Sequence, residues 1–221
     1  MSQDPQVVFF DMDHTLIDND CDVSWKRFLI GESLAPPREN DDVARFYDLY
    51  LGGQLPIAEF LLFQLRQFVG RTVSEMRELA RRHFEALVRS RIYPQARLEV
   101  DSAWKRGIPA VMLTGTNRIV AEPLAEELNM DAVLATELEI NDGRFTGRIV
   151  ELYCFGPEKV AKARDFCQAR GLRLDHAAYF GDSTSDIPML EAAGEAVAVN
   201  PSEELAQTAR RRGWRIVRWS L

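Results

Sequence analysis

Near the start of the chain, Val7-Val8-Phe9-Phe10-Asp11-Met12-Asp13-His14-Thr15 runs from a continuous apolar stretch straight into two carboxylates and a hydroxyl. β-Branched and aromatic residues behind Pro5 predict a strand. Hydrophobicity that is continuous rather than alternating predicts one covered on both faces, as in a parallel sheet. Asp11 and Asp13 then fall at the carboxyl end of that strand, the edge where open α/β sheets bind ligands. Alternate residues of an extended segment also point the same way. Two like charges held that close need a positive partner, and a divalent cation is the simplest one. Taken alone, the pair is equally well an aspartate turn capping the next segment; the rest of the chain separates the two readings.

At 221 residues and 46% hydrophobic, the chain can build one large domain or a core with an inserted lobe. It has no apolar run of about eighteen residues and no basic, apolar leader, so neither a membrane span nor a signal peptide is expected, and a cytoplasmic location is. Cys21, Cys154 and Cys167 are odd in number and widely spaced, which fits neither a zinc site nor a disulfide framework and predicts reduced thiols. A net charge of −7 argues against nucleic acid as a partner. An acidic protein that binds phosphate must build its positive field locally, which again points to a metal.

After Thr15 the period becomes helical for about seventy residues. Apolar stripes pass through Trp25, Phe28 and Leu29; through Val43, Phe46, Tyr47, Tyr50 and Leu51; through Ile57, Phe60, Leu61, Leu65 and Phe68; and through Met76, Leu79, Ala80, His83, Phe84, Leu87 and Val88. Pro36-Pro37, Gly52-Gly53 and Gly70 punctuate them, and Thr72 with Glu75 predicts a capping box. The pattern is a four-helix insertion. From Pro94 strands and helices alternate, with strands expected at Ile108 to Leu113, Ala132 to Ala135, Ala177 to Phe180, Ala196 to Val199 and near Ile216, which predicts a parallel sheet. Asn141-Asp142-Gly143 reads as a hairpin turn rather than a phosphate loop. The fold class is therefore α/β, a Rossmann-like doubly wound parallel sheet carrying an inserted four-helix lobe.

Two further strand ends carry polar residues, and a doubly wound sheet brings such ends together. One ends at Thr114-Gly115-Thr116-Asn117, offering a hydroxyl and backbone amides suited to an anionic oxygen. Another ends at Gly181-Asp182-Ser183-Thr184-Ser185-Asp186, and Lys159 opens the helix between them. Thr114 alone reads as a helix N-cap and Lys159 alone as a solvated lysine; their order with both aspartate motifs points instead to one site. His83, on an apolar face, reads as packed core, and Arg210, Arg211 and Arg212 as a solvated helix end.

In these motifs the chain resembles the haloacid dehalogenase superfamily, in its phosphoserine phosphatase-like branch with a helical cap: Asp11-Met12-Asp13-His14-Thr15, Thr114, Lys159, and Gly181-Asp182 with Asp186 stand in the family's order. The resemblance spans essentially the whole chain, with residues 18–90 in the place of the cap and residues 1–17 and 91–221 in that of the catalytic core. It implies a phosphomonoesterase with Asp11 as the nucleophile that forms an aspartyl-phosphate, and Asp13 as the acid and then base. It implies Mg2+ held by the Asp11 and Asp182 carboxylates and the Asp13 main-chain carbonyl, with Asp186 holding a metal-bound water or orienting Lys159. Thr114, the Gly115 amide and Lys159 would hold the phosphoryl oxygens.

Asp13 together with Asp182 argues against dehalogenation, and the family's transport ATPases place lysine where Asp13 stands. A phosphomutase or phosphotransferase keeps the same residues and returns phosphate to its substrate. Non-catalytic phosphate-binding relatives typically lose the nucleophile or a metal carboxylate, and this chain keeps both. A helical cap favours small, soluble phosphomonoesters such as phosphoserine, histidinol phosphate or an amino-alcohol phosphate. Asp20 and Asp22 are candidates for a substrate ammonium, or simply helix N-terminal charges, and none of Arg45, Arg66 or Arg71 is assignable as a carboxylate partner.

Overall fold

The computed structural model describes residues 4–221, so residues 1–3 of the segment 1–17 lie outside the described residues. All of β1 (Val7–Phe10) is buried. Val8 and Phe10 enter one core cluster while Val7 and Phe9 enter another. A strand with both faces buried has no polar positions, which accounts for the unbroken apolar run. Phe10 stacks on Phe180 at 4.8 Å between ring centroids, and Phe9 meets the edge of Phe166 at 5.7 Å.

Four helices follow: α1 (Cys21–Gly31), α2 (Glu39–Leu51), α3 (Ile57–Leu65) and α4 (Val73–His83). A π turn at Phe84–Val88 extends the last. Then come α5 (Pro94–Lys105), β2 (Ala110–Asn117), α6 (Arg118–Glu127), β3 (Ala132–Thr136) and a hairpin of β4 (Leu138–Asn141) and β5 (Arg144–Ile149). The chain finishes with α7 (Pro157–Ala169), β6 (Ala177–Gly181), α8 (Ile187–Ala192), β7 (Glu195–Val199), α9 (Glu203–Arg212) and β8 (Arg215–Val217).

The six-stranded sheet has the order β3-β2-β1-β6-β7-β8, and every pairing in it is parallel. From β1 the chain works outward through β2 and β3, then returns to the other side of β1. The carboxyl end of β1 is thus the switch point, where a crevice opens between crossovers that leave in opposite directions.

The expected strand at Ile108 to Leu113 begins two residues later and continues to Asn117. Leu113 faces Leu134 but Asn117 faces Thr136, so the residues between them bulge out of the ladder. The N-cap of α6 is Asn117, whose side chain accepts the Val120 amide at 3.3 Å. Thr114 therefore stands in a bulged strand end, not at a helix start.

The inserted helices divide into two packing units. Trp25 and Leu29 of α1 and Met76 and Ala80 of α4 belong to the same cluster as Phe10 and Met112 of the sheet. Val43, Phe46, Phe60 and Phe63 of α2 and α3 form a small cluster of their own. Thr72 and Glu75 form the expected capping box. Leu51, Ile57 and Leu87, read as members of apolar stripes, are exposed. Leu51 ends α2, Ile57 begins α3, and Leu87 lies in the π turn, whose wider winding rotates the stripe away from the core. The hairpin braces the lobe: Gly70 N donates to Phe145 O and Phe145 N to Arg71 O, both at 2.9 Å. No helix among the described residues is long and apolar enough to cross a membrane, and the three cysteines are free and buried.

Candidate active site

Asp11 leaves β1 with its amide still paired to Phe180 O at 2.9 Å, so the neighbouring strand fixes its backbone. Its Oδ1 accepts from Lys159 Nζ at 2.7 Å. Lys159, in the first turn of α7, is only 3% exposed and also donates to Asp186 Oδ1 at 2.8 Å and to the Tyr179 hydroxyl at 3.2 Å. Burial works against its charge, but Asp11, Asp186 and Tyr179 outweigh it and hold the ammonium well above the usual lysine range.

Asp186 is fully buried and saturated. It accepts from the Tyr179 hydroxyl at 2.5 Å and from the amides of Asp182 and Ser183 at 3.2 Å each, besides Lys159. It also closes a capping box with Ser183, so it caps the short turn before α8 and anchors Lys159 at once. Gly181 makes this possible: a Cβ there would lie 2.7 Å from the Asp186 carboxyl carbon.

Asp13 hangs between two donors, the Cys21 amide to Oδ1 at 2.7 Å and the Thr116 hydroxyl to Oδ2 at 2.8 Å. Thr116 comes from the β2 bulge, where its own amide donates to Thr114 Oγ1 at 3.1 Å. Gly115, between them, accepts from Thr136 Oγ1 at 2.6 Å, and a Cβ on it would meet the Tyr153 hydroxyl at 3.2 Å. Across the crevice, Thr15 Oγ1 donates to Asp182 Oδ1 at 3.3 Å.

Negative charge dominates the site. Burial pushes Asp11 up to about 7 against the pull of Lys159, and pushes Asp13 up to about 7 with help from Asp20. Burial and neighbouring carboxylates hold Asp22 and Asp182 well above the ordinary range. A divalent cation beside Asp11 and Asp182 would offset the charge of both. Carboxylate oxygens of Asp11, Asp182 and Asp186 lie within 4.8 Å of one another, an all-oxygen set of the kind hard cations take. Since Asp186 is saturated, Asp11 and Asp182 are the carboxylates left to bind, and the residues fit a magnesium ion.

One cavity joins these groups to the helical lobe. Asp11, Asp13, Thr114, Gly115, Thr116 and Lys159 line its sheet side. Asp20 and Asp22 line it too, although Asp20 is also the N-cap of α1 and accepts the Val23 amide at 2.9 Å. The rest is largely aromatic, with Phe46, Tyr47, Tyr50, Phe60 and Phe63 from the lobe facing Tyr153 and Phe155. Lys159 is the sole lysine or arginine lining it among the described residues. Arg66 is drawn off by Glu39 at 3.0 Å, and Arg45 lies near Asp42 at 3.6 Å.

The family profile of the haloacid dehalogenase-like hydrolases matches residues 8–191. The chain belongs to that family. The hydrolase is 29% identical to the histidinol-phosphatase of Neisseria meningitidis over 216 residues, 96% of this chain and 97% of that protein. It is 30% identical to phosphoserine phosphatase SerB1 of Mycobacterium tuberculosis over 212 residues, covering 94% and 69% of the two chains. A protein of unknown function from Bordetella pertussis superposes with a TM-score of 0.88 at 29% identity, over 97% of this chain and 99% of that one. A substrate-bound phosphoserine phosphatase shares the fold with a TM-score of 0.72 at 18% identity, over 98% and 94%. This hydrolase is a phosphatase-type enzyme of the phosphoserine phosphatase-like branch.

Three residues of the hydrolase's site escape a reading by motif. Thr116 holds Asp13, and its spacing of two from Thr114 was the available signal, since alternate residues share a strand face. Tyr179 reads as core because it stands in a buried strand, yet a buried phenol needs a partner for its hydroxyl. Gln64 of α3 lines the cavity and carries no sequence signal.

Proposed function

We propose that this hydrolase cleaves small phosphomonoesters in two steps through an aspartyl-phosphate on Asp11, with Mg2+ as its resident cation. The observation that carries the reading is the buried Lys159, fastened to Asp11 Oδ1 at 2.7 Å and to Asp186 Oδ1 at 2.8 Å. It fixes one oxygen of the nucleophile and leaves the other to attack.

In the first step Asp11 Oδ2 bonds to phosphorus, the ester P–O bond breaks, and Asp13 gives its proton to the departing oxygen. In the second, Asp13 takes a proton from water, the water oxygen bonds to phosphorus, and the acyl-phosphate P–O bond breaks to free Asp11 and inorganic phosphate. The Cys21 amide and the Thr116 hydroxyl hold the Asp13 carboxyl in place through both transfers. Thr114, the Gly115 amide in the bulge, and Lys159 grip the equatorial phosphoryl oxygens. The Asp11 and Asp182 carboxylates and the Asp13 main-chain carbonyl would hold magnesium, which when bound would supply neutralising charge to the transferring group.

Residues 18–90 act as the substrate-selecting cap on a core of residues 1–17 and 91–221. Asp20 and Asp22 in the cavity wall favour a substrate with an ammonium group, as does the absence of a lining arginine among the described residues. The relative from Neisseria meningitidis is named for one such amine. The partner is a small molecule in the cytoplasm rather than nucleic acid or a membrane, in keeping with a net charge of −7.

The test is phosphate release from a panel of monoesters with and without Mg2+. Turnover is expected only with the metal, chelation should remove it reversibly, and Asp11→Asn should release no phosphate above background. A chelated enzyme that kept full activity, or an active Asp11→Asn, would sink the proposal.

A further inference from the structure

The lobe side of the cavity carries an acceptor that no described residue satisfies. Gln64 of α3 is 7% exposed and lines the cavity. Its Nε2 donates to the main-chain carbonyl of Asp22 at 3.1 Å, and its buried Oε1 has no hydrogen-bond partner among the described residues. Exchanging the amide's oxygen and nitrogen gives no relief, since two acceptors would then face each other at Asp22. The orientation is therefore fixed by Asp22, and the free oxygen asks for an N–H or O–H donor from outside the chain.

The surroundings narrow the class of donor. Phe63, one residue before Gln64, lies 5.1 Å from Phe46, and Phe46 meets the edge of Phe60 at 5.6 Å, so the cavity that Gln64 lines is walled by rings. The Asp22 carboxylate lines the same space, and the sole lining lysine, Lys159, is engaged by Asp11 and Asp186. Lys26 lies behind Phe63, completely buried, and is committed to the Phe63 carbonyl, Gln67 and Glu39. A carboxylate-bearing leaving group would meet acceptors and rings, and His14, the other lining side chain able to carry positive charge, already faces Asp20. A polyhydroxyl group would find too few polar partners on this wall. A flat ring with an N–H suits both features, stacking on the aromatics and donating to the amide oxygen.

We propose that Gln64 Oε1 is a specificity-determining acceptor, and that the leaving group it receives is a planar nitrogen heteroaromatic rather than a carboxylate-bearing chain. This rests on the phosphomonoesterase reading, and it goes beyond the ammonium contact assigned to Asp20 and Asp22 because it concerns a second, ring nitrogen.

The experiment compares 3-(imidazol-4-yl)propyl phosphate with 3-phenylpropyl phosphate, which differ at the ring alone, beside O-phosphoserine and 4-nitrophenyl phosphate. The wild-type enzyme should favour the imidazolyl ester over the phenyl ester in kcat/KM by about tenfold or more, the worth of one well-made hydrogen bond. In Gln64→Leu that ratio should fall toward one, chiefly through a higher KM for the imidazolyl ester. A wild-type enzyme indifferent to the ring nitrogen, or one that prefers O-phosphoserine, overturns the proposal without recourse to any variant. So does a Gln64→Leu enzyme with its preference intact. Failure to cleave any of the four esters with Mg2+ present would instead count against the phosphomonoesterase reading itself.

Discussion

His83 makes stability depend on pH in a way that its surroundings allow to be worked out. The side chain is fully buried between α4 and α1, edge-on to Trp25 and Phe28 at 5.5 and 5.7 Å. Its Nε2 lies 2.9 Å from Ser24 Oγ, which itself accepts from Asn19 Nδ2 at 2.7 Å. The imidazole shares one hydrogen bond with the serine through Nε2, and its Nδ1 has no partner among the described residues. Burial pulls the imidazole down from 6.5 to about 4. Above about pH 6.5 both folded and unfolded forms are neutral and the group is silent. As pH falls between those two values the unfolded chain takes up a proton that the folded chain refuses, so stability drops by about 1.4 kcal/mol per unit. Between about pH 7.5 and about pH 5 the two binding curves differ by about 2 kcal/mol in free energy. Denaturant unfolding of wild type and His83→Gln at those two pH values isolates this contribution, because carboxylates elsewhere titrate alike in both proteins. The variant carries a constant offset from lost ring packing, and its deficit should shrink by about 2 kcal/mol on acidification. A wild-type minus variant difference that stays flat across the range would refute the reasoning.

Three further outcomes follow from the geometry. Tyr179→Phe removes the hydroxyl that donates to Asp186 at 2.5 Å; kcat should fall by about tenfold to a hundredfold with KM little changed, as steady-state kinetics will show. Glu39→Ala strips the buried Lys26 of its anion at 3.3 Å and should cost about 3–5 kcal/mol in denaturant unfolding, an effect excluded if the midpoint barely moves. Gly181→Ala drives a methyl to 2.7 Å from the Asp186 carboxyl carbon; displacing that group from Lys159 should lower kcat by about a hundredfold, well beyond any loss in thermal midpoint.

The parts of the molecule legible in the sequence are those where one physical demand governs a run of residues. Two buried faces force the unbroken Val7 to Phe10 stretch, and helical burial forces the stripes through Trp25, Phe46, Phe60 and Met76, so the α/β class and the inserted helices could be read before the structure. The polar residues of the candidate site were visible because each interrupts an apolar strand at its end, and the structure gathers Asp11, Asp13, Thr114, Lys159, Asp182 and Asp186 around one crevice. What stayed hidden depends on contacts distant in the chain. The bulge at Thr114 to Thr116 follows from how β2 must meet Thr136, and nothing local announces it. Tyr179 shares the apolar pattern of its strand, and Gln64 differs from any helical glutamine only in what its oxygen lacks.

The two packing units of the inserted helices divide the work of the segment. Because α1 and α4 share their cluster with the sheet, residues such as Trp25 and Met76 stabilise the core as much as the lobe. The α2 and α3 pair has its own small cluster and meets the core through Leu65, which joins the sheet's cluster, and through rings, Tyr50 against Phe155 at 6.2 Å and Phe60 against Tyr153 at 6.3 Å. Those same four rings line the cavity, so the surface that joins the pair to the core is also part of the cavity wall. Side chains there can change size or polarity at the cost of a small cluster rather than the main core, whose close packing would resist the same change. The strand-end carboxylates have no such freedom: Asp11, Asp13 and Asp186 are each held by two elements or more, and a shift in one partner disturbs the rest. On the proposed mechanism, chemistry is thereby confined to the rigid sheet edge, and selectivity to the part of the lobe with a cluster of its own.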